Sequence, residues 1–256
     1  MHLSFSTANY VGRAAGYKLE PFSWREAEHM TVERTDITAF DKICQEIEAA
    51  GFSAIDLWKA HAWPLTFTPQ RADELLAVLR RHNLEPVSYA GEIGVDAAEM
   101  LRAARLLGIG LVCGALDIGM ARYVATLARQ RSVRVGIEND GETHPSQLRD
   151  KIGIDDDILG VCVDTGAWLA QGCDPAQAIR ELGEHVWHVH LKDMRSWGSQ
   201  EQVRLGNGVL DLEAVLAALR AIGYIGALAI EQETGDADPT ADVRLGREVV
   251  ERLLAT

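Results

Sequence analysis

The run Val133-Arg134-Val135-Gly136-Ile137-Glu138-Asn139 reads in two phases. Side chains of a strand alternate between its faces. Val135 and Ile137 therefore share one side, and Gly136 and Glu138 the other. Three later runs repeat the pattern. In residues 160–165, Val161 and Val163 oppose Cys162 and Asp164. In residues 186–192, Val189 and Leu191 oppose His188, His190 and Lys192. In residues 227–233, Leu228 and Ile230 oppose Ala229, Glu231 and Glu233. One face is aliphatic and suits packing on outer helices. The other begins small and becomes polar toward the carboxyl end.

Four more β-rich runs lie upstream, at residues 3–8, 54–58, 86–90 and 110–115. Each of the eight is followed by a helical stretch, the pattern of βα units around a parallel sheet. Thr68-Pro69 reads as a cap with proline in the first turn, ahead of Leu75, Leu76 and Leu79. Asp211 caps a helix that stops at Gly223. Ile37, Phe40, Ile43, Cys44 and Ile47 form an apolar stripe ending before Gly51. The expected fold is α/β, a (β/α)₈ TIM barrel. The length of 256 residues is close to the roughly 250 typical of it, and residues 1–256 are expected to form one domain. Residues 9–34 make a long first βα loop carrying Tyr10, Tyr17, Phe22 and Trp24. Two readings of it stand: a lid, or a fixed aromatic plug over the barrel mouth.

Composition narrows the function classes. A net charge of −13 repels polyanions, which argues against nucleic acid and anionic membranes as partners. No apolar run approaches the roughly 18 residues of a membrane span, and no signal-peptide pattern opens the chain, so the cytoplasm is the expected location. Cys44, Cys113, Cys162 and Cys173 show no C-x-x-C spacing and read as small buried hydrophobes.

Active sites of such barrels lie at the carboxyl ends of the strands. The alternation gathers Glu138, Asp164, His190 and Glu231 at that mouth. Three carboxylates crowded together repel one another unless a counter-charge joins them. A divalent cation meets that need. An oxygen-rich set with one imidazole suits Mn²⁺ or Mg²⁺ first, with Co²⁺ or Zn²⁺ as alternatives.

These runs resemble the xylose-isomerase-like sugar phosphate isomerase/epimerase superfamily. The resemblance rests on Val135-Gly136-Ile137-Glu138-Asn139, Val163-Asp164-Thr165-Gly166, His188-Val189-His190-Leu191-Lys192-Asp193 and Ile230-Glu231-Gln232-Glu233. The run from Gly51 to Trp58, Leu205-Gly206-Asn207-Gly208 and Gly223-Tyr224-Ile225-Gly226 also fit. The resemblance implies one metal held by Glu138, Asp164, His190 and Glu231, with Glu138 and Glu231 moving the proton. It implies substrate contacts from Lys192, His61, Trp58 and Arg195, with His188 one layer deeper. Ala167 stands where many ketose epimerases have a substrate-binding histidine. The function this implies is a metal-dependent sugar or sugar-phosphate isomerase or epimerase that abstracts a proton beside a ketone. Three alternatives accompany it. One is a lyase or dehydratase on a keto-sugar, inosose or keto-glycoside. The second is a subunit, in a homo-oligomer or with a partner, that needs that partner for turnover. The third is an endonuclease IV-like DNA repair enzyme, which would require more histidines at the strand ends.

Overall fold

In the computed structural model, which describes residues 1–255, eight parallel strands close into a barrel. They are β1 (His2–Ser6), β2 (Ala54–Trp58), β3 (Glu85–Ala90), β4 (Leu111–Gly114), β5 (Arg134–Glu138), β6 (Leu159–Asp164), β7 (Val186–Leu191) and β8 (Ala227–Ile230). Each pairs with its neighbours in chain order, and β1 closes the ring on β8. Among the described residues no helix is long and apolar enough to cross a membrane.

The two faces of the strands separate as their alternation requires. Val135, Ile137, Val161, Val163, Val189, Leu191, Leu228 and Ile230 belong to the large core between barrel and helices. Cys113 and Cys162 join Leu111 and Trp187 in a separate small cluster inside the barrel. A Cβ on Gly136 would lie 3.2 Å from the Cys113 sulfur, so this position is tight for anything larger than glycine. The β6–β7 register shifts by one residue, with Val161 opposite Val186 but Cys162 opposite His188. Trp187 is the extra residue. Its ring occupies the space beneath Gly160, where a Cβ would come within 2.2 Å of it, and the Arg134 guanidinium lies 4.7 Å above it. This bulge returns His188 and His190 to the inward phase of Cys162 and Asp164.

The helices obey local signals. Asp36 caps α2 (Ile37–Ala49) through the Ala39 amide, with Phe40, Ile43, Cys44 and Ile47 buried. Thr68 caps α3 (Pro69–Arg81), and α4 (Ala97–Leu106), α5 (Ile118–Arg131) and α6 (Pro145–Ile152) follow in turn. Between β6 and β7 lie α7 (Thr165–Ala170) and α8 (Pro175–Leu182). After β7 a two-stranded ribbon, Asp193–Met194 with Gln202–Val203, precedes α9 (Leu212–Ala221), and α10 (Thr240–Leu254) ends the chain.

Two expectations are corrected. The stretch 9–34 is not a loop throughout: it ends in a helix, α1 (Trp24–Arg34), capped by Ser23. The last strand stops at Ile230 rather than Glu233. Beyond Glu231, the Gln232 amide donates to Asn9 Oδ1 at 2.6 Å and the Glu233 amide to Gln202 Oε1 at 2.8 Å. Side chains of distant segments thus capture the backbone that would have continued the ladder.

Candidate active site

The carboxyl ends of the strands surround a cavity of about 750 Å³. Glu138 ends β5, Asp164 ends β6, His190 lies in β7, and Glu231 follows β8. Oxygens of Glu138, Asp164 and Glu231 come within 4.8 Å of one another. His190 Nδ1 lies 2.6 Å from Glu138 Oε1 and 3.4 Å from Glu231 Oε2. All four side chains face the same cavity.

The backbone behind them is fixed by short side-chain bridges. Asn139 donates to the Asp164 carbonyl at 2.9 Å and accepts from the Asp164 amide at 2.8 Å, locking the ends of β5 and β6 together. Asp164 Oδ1 caps α7 by accepting the Gly166 and Ala167 amides at 2.7 and 3.0 Å, leaving Oδ2 for the cavity. Ser6 donates to Glu231 Oε1 at 2.9 Å. Thr165 Oγ1 receives the Lys192 amide at 2.9 Å, which anchors the chain after β7.

Two buried side chains, Lys192 and His190, stand among these carboxylates. Lys192 Nζ reaches Asp164 and Glu231 at 3.0 Å each and Glu233 at 2.7 Å. Burial disfavours its charge, but those three carboxylates outweigh burial and hold its pKa well above the usual lysine range. Burial also opposes charge on His190, and Glu231, Glu138 and the hydrogen bond to Asp56 outweigh it, so this pKa too is raised. Burial and the neighbouring Glu231 push Glu233 up to about 7. The donor set fits a divalent cation, whose charge would relieve the repulsion among the carboxylates.

Beneath this layer Asp56 is fully buried. Its Oδ2 lies 2.7 Å from His190 Nε2 and 3.1 Å from His188 Nε2. Ser88 Oγ lies 3.3 Å from the same His188 nitrogen. Asp56, His188 and His190 could be drawn as a metal-binding group of their own. Asp56 and His188 do not line the cavity, and they sit at hydrogen-bond distance behind His190, which does. The two imidazole bonds outweigh burial and hold the Asp56 carboxyl below its ordinary range.

The expected substrate contacts divide. Trp58 and Lys192 line the cavity, and so does Ala167. His188 does not; it lies under His190, bound to Asp56. His61 does not line it either: its Nδ1 is 3.1 Å from Thr7 Oγ1 and its ring meets the edge of Trp58. Burial, with a smaller contribution from Arg13, lowers the His61 pKa to about 3. Arg195 turns away to pair with Glu201 at 2.6 Å, its side chain 61% exposed. The ribbon sets this direction, because the Arg195 amide donates to the Glu201 carbonyl. The first turns of α1 send Trp24, Arg25 and Glu28 to the cavity wall, over the same mouth as the carboxylates. Tyr10 instead packs against Phe5 in the core, and Phe22 stands outside against Trp24.

Several residues at the site were not singled out from sequence. Asp56 follows the same alternation as Glu138, between the buried aliphatic Ile55 and Leu57, and that phase could have found it. Glu92 and Asp140 line the cavity from loops, where no periodicity announces them.

The sequence profile of the xylose isomerase-like TIM barrel family matches residues 120–253, over half of the chain. The protein belongs to that family. Inosose dehydratase of Geobacillus kaustophilus is 25% identical over 118 residues, 39% of this chain and 38% of that protein. The chain spans about two fifths of the length of the curated relatives it matches. Among solved structures, a zinc-bound IolI protein superposes with a TM-score of 0.74 at 15% identity, covering 100% of this chain and 98% of that one. An L-ribulose 3-epimerase gives 0.73 at 15% identity, covering 100% and 95%. These structures share the fold.

Proposed function

We propose that the protein is a metal-dependent isomerase or epimerase that moves a carbon-bound proton beside a ketone of a small sugar-like substrate. The observation that carries this reading is the convergence of Glu138, Asp164 and Glu231 with His190 on one cavity. A divalent cation held by these four residues would supply Lewis-acid stabilisation of the charge that develops on the substrate oxygen. Glu138 and Glu231 come from β5 and β8, with β6 and β7 between them, so they approach a substrate from separate sides. One removes the proton as general base and the other returns it as general acid. Ser6 and Lys192 hold Glu231 in place, and Asp164 is fixed by its helix cap. Trp24 and Trp58 cover one wall and keep water from the reacting carbon, which strengthens the electrostatic interactions there.

Similarity to an inosose dehydratase supports a second reading. The same first proton abstraction is then followed by loss of a hydroxyl from the next carbon.

The test is solvent deuterium incorporation, followed by NMR, with Mn²⁺- or Mg²⁺-loaded protein and a panel of ketoses and cyclic inososes. Exchange with return to sugar products is expected. Glu138→Gln and Glu231→Gln should each slow it by about 10² to 10⁴-fold, the usual worth of a general acid or base. Accumulation of an unsaturated, dehydrated product moves the assignment to the lyase. Absence of exchange across the panel with metal bound defeats both.

A further inference from the structure

Resting on that reading, the wall of the cavity narrows the substrate class. Beyond the four candidate ligands it carries Glu92, Asp140, Glu233 and Glu28, the last 3.9 Å from Lys59 Nζ. The divalent cation of that reading is already offset by the three carboxylates that would hold it, and few other cations are able to meet a substrate. Lys192 has three N–H donors and spends them on three carboxylates at 2.7–3.0 Å. The amides that begin α7 point toward this end of the barrel, the usual place to seat a phosphate. Gly166 and Ala167 already give theirs to Asp164 Oδ1. Asn139 has its oxygen and nitrogen engaged with the Asp164 backbone. Arg25 remains, but it is solvent-exposed on the rim, where its attraction for an anion is screened.

A carboxylate only accepts hydrogen bonds. Such a wall welcomes hydroxyl donors and repels an added negative charge. Trp58, with Trp24 edge-on at 6.0 Å between centroids, gives the opposite kind of surface, apolar and suited to the C–H face of a sugar ring. We infer that the cavity is a charge filter: its substrate is an uncharged polyhydroxy ketone, and phosphorylated or carboxylate-bearing analogues are excluded.

The experiment uses the full chain loaded with Mn²⁺ and pairs of probes, free ketohexoses such as D-fructose beside their 6-phosphates. Deuterium exchange measures turnover, and calorimetry measures binding independently of turnover. The free sugar is expected to be preferred by about 10²-fold or more, the scale of a like-charge penalty in a partly buried site. Raising ionic strength from about 0.01 M to about 1 M shortens the screening length from about 30 Å to about 3 Å and should shrink the preference. The double variant Glu92→Gln with Asp140→Asn should narrow it by about tenfold. Equal or tighter binding of the phosphate overturns the filter, whether or not exchange occurs. A preference that neither salt nor the double variant alters also overturns it, because shape would then be the cause. Loss of exchange with every probe counts against the enolising chemistry, and calorimetry still decides the filter.

Discussion

Asp56 is the residue on which the orientation of His190 turns. To ligate a cation through Nδ1, the imidazole must carry its proton on Nε2, and Asp56 accepts from that nitrogen at 2.7 Å. Partners of this kind typically contribute 10–100-fold to metal affinity. Asp56→Asn should weaken Mn²⁺ binding by about that factor in a calorimetric titration. It should also change the ¹⁵N shifts that report the His190 tautomer, whereas a purely structural defect would lower stability and leave the tautomer alone. His61 governs a different property. Its folded pKa of about 3 lies below the unfolded value of about 6.5. Between these values the unfolded chain binds the extra proton, so stability is complete above about pH 6.5 and falls as pH drops toward 3. The slope contributed by one such group approaches about 1.4 kcal/mol per pH unit. Urea unfolding of His61→Gln at pH 7, 6 and 5 should show a flatter loss than the parent; identical slopes would assign the acid sensitivity elsewhere.

At the scale of elements, the segment after β7 shows how one side chain organises a loop. Asp193 accepts from the amides of Gly206, Gly208 and Leu210 at 2.9–3.0 Å. Gly206 has φ +89°, and a Cβ on Gly208 would lie 2.2 Å from the Met194 carbonyl oxygen, so both positions require glycine. This loop holds the ribbon, whose Gln202 in turn captures the Glu233 amide. Asp193→Ala would leave three donors without their acceptor. The expected cost is roughly 2–4 kcal/mol, given that bonds to charged groups are worth about 1.5–3 kcal/mol each and water recovers part of the loss. Urea denaturation measures it, and limited proteolysis should find residues 205–210 newly susceptible. An unchanged midpoint would show that the turn holds itself.

For the whole molecule, the four candidate ligands come from half of the barrel, β5 through β8, and exist as a set only when it is closed. A cation bound to them therefore stabilises the folded chain and not the unfolded one. At a free concentration of about 100 times Kd the gain is about 2.7 kcal/mol. For a chain of this size that raises Tm by about 5–10 °C. Differential scanning calorimetry with Mn²⁺ and then with a chelator should show the rise and its reversal. His190→Ala should show neither, and a Tm indifferent to metal in the parent would remove the cation from the site.

The barrel and the four converging side chains were legible in the sequence because the period of two is a local rule. It decides which face each residue takes, and the carboxyl end of a parallel strand is the same end for all eight. Helix starts were legible for a similar reason, since Thr68 and Asp211 act within three residues of themselves. Only the tertiary structure decided what depends on closure. Asp56 in β2 meets His190 in β7 across the barrel interior, although the strands are not neighbours in the sheet. The family resemblance implied Lys192 as a substrate contact, yet its charge is spent on Asp164, Glu231 and Glu233. Arg195 and His61 lie near the mouth in the chain and are directed away by Glu201 and Thr7. The last strand ends early because Asn9, 223 positions away, takes its next amide. Periodicity records burial along one segment; it carries no record of which distant side chain competes for the same hydrogen bond.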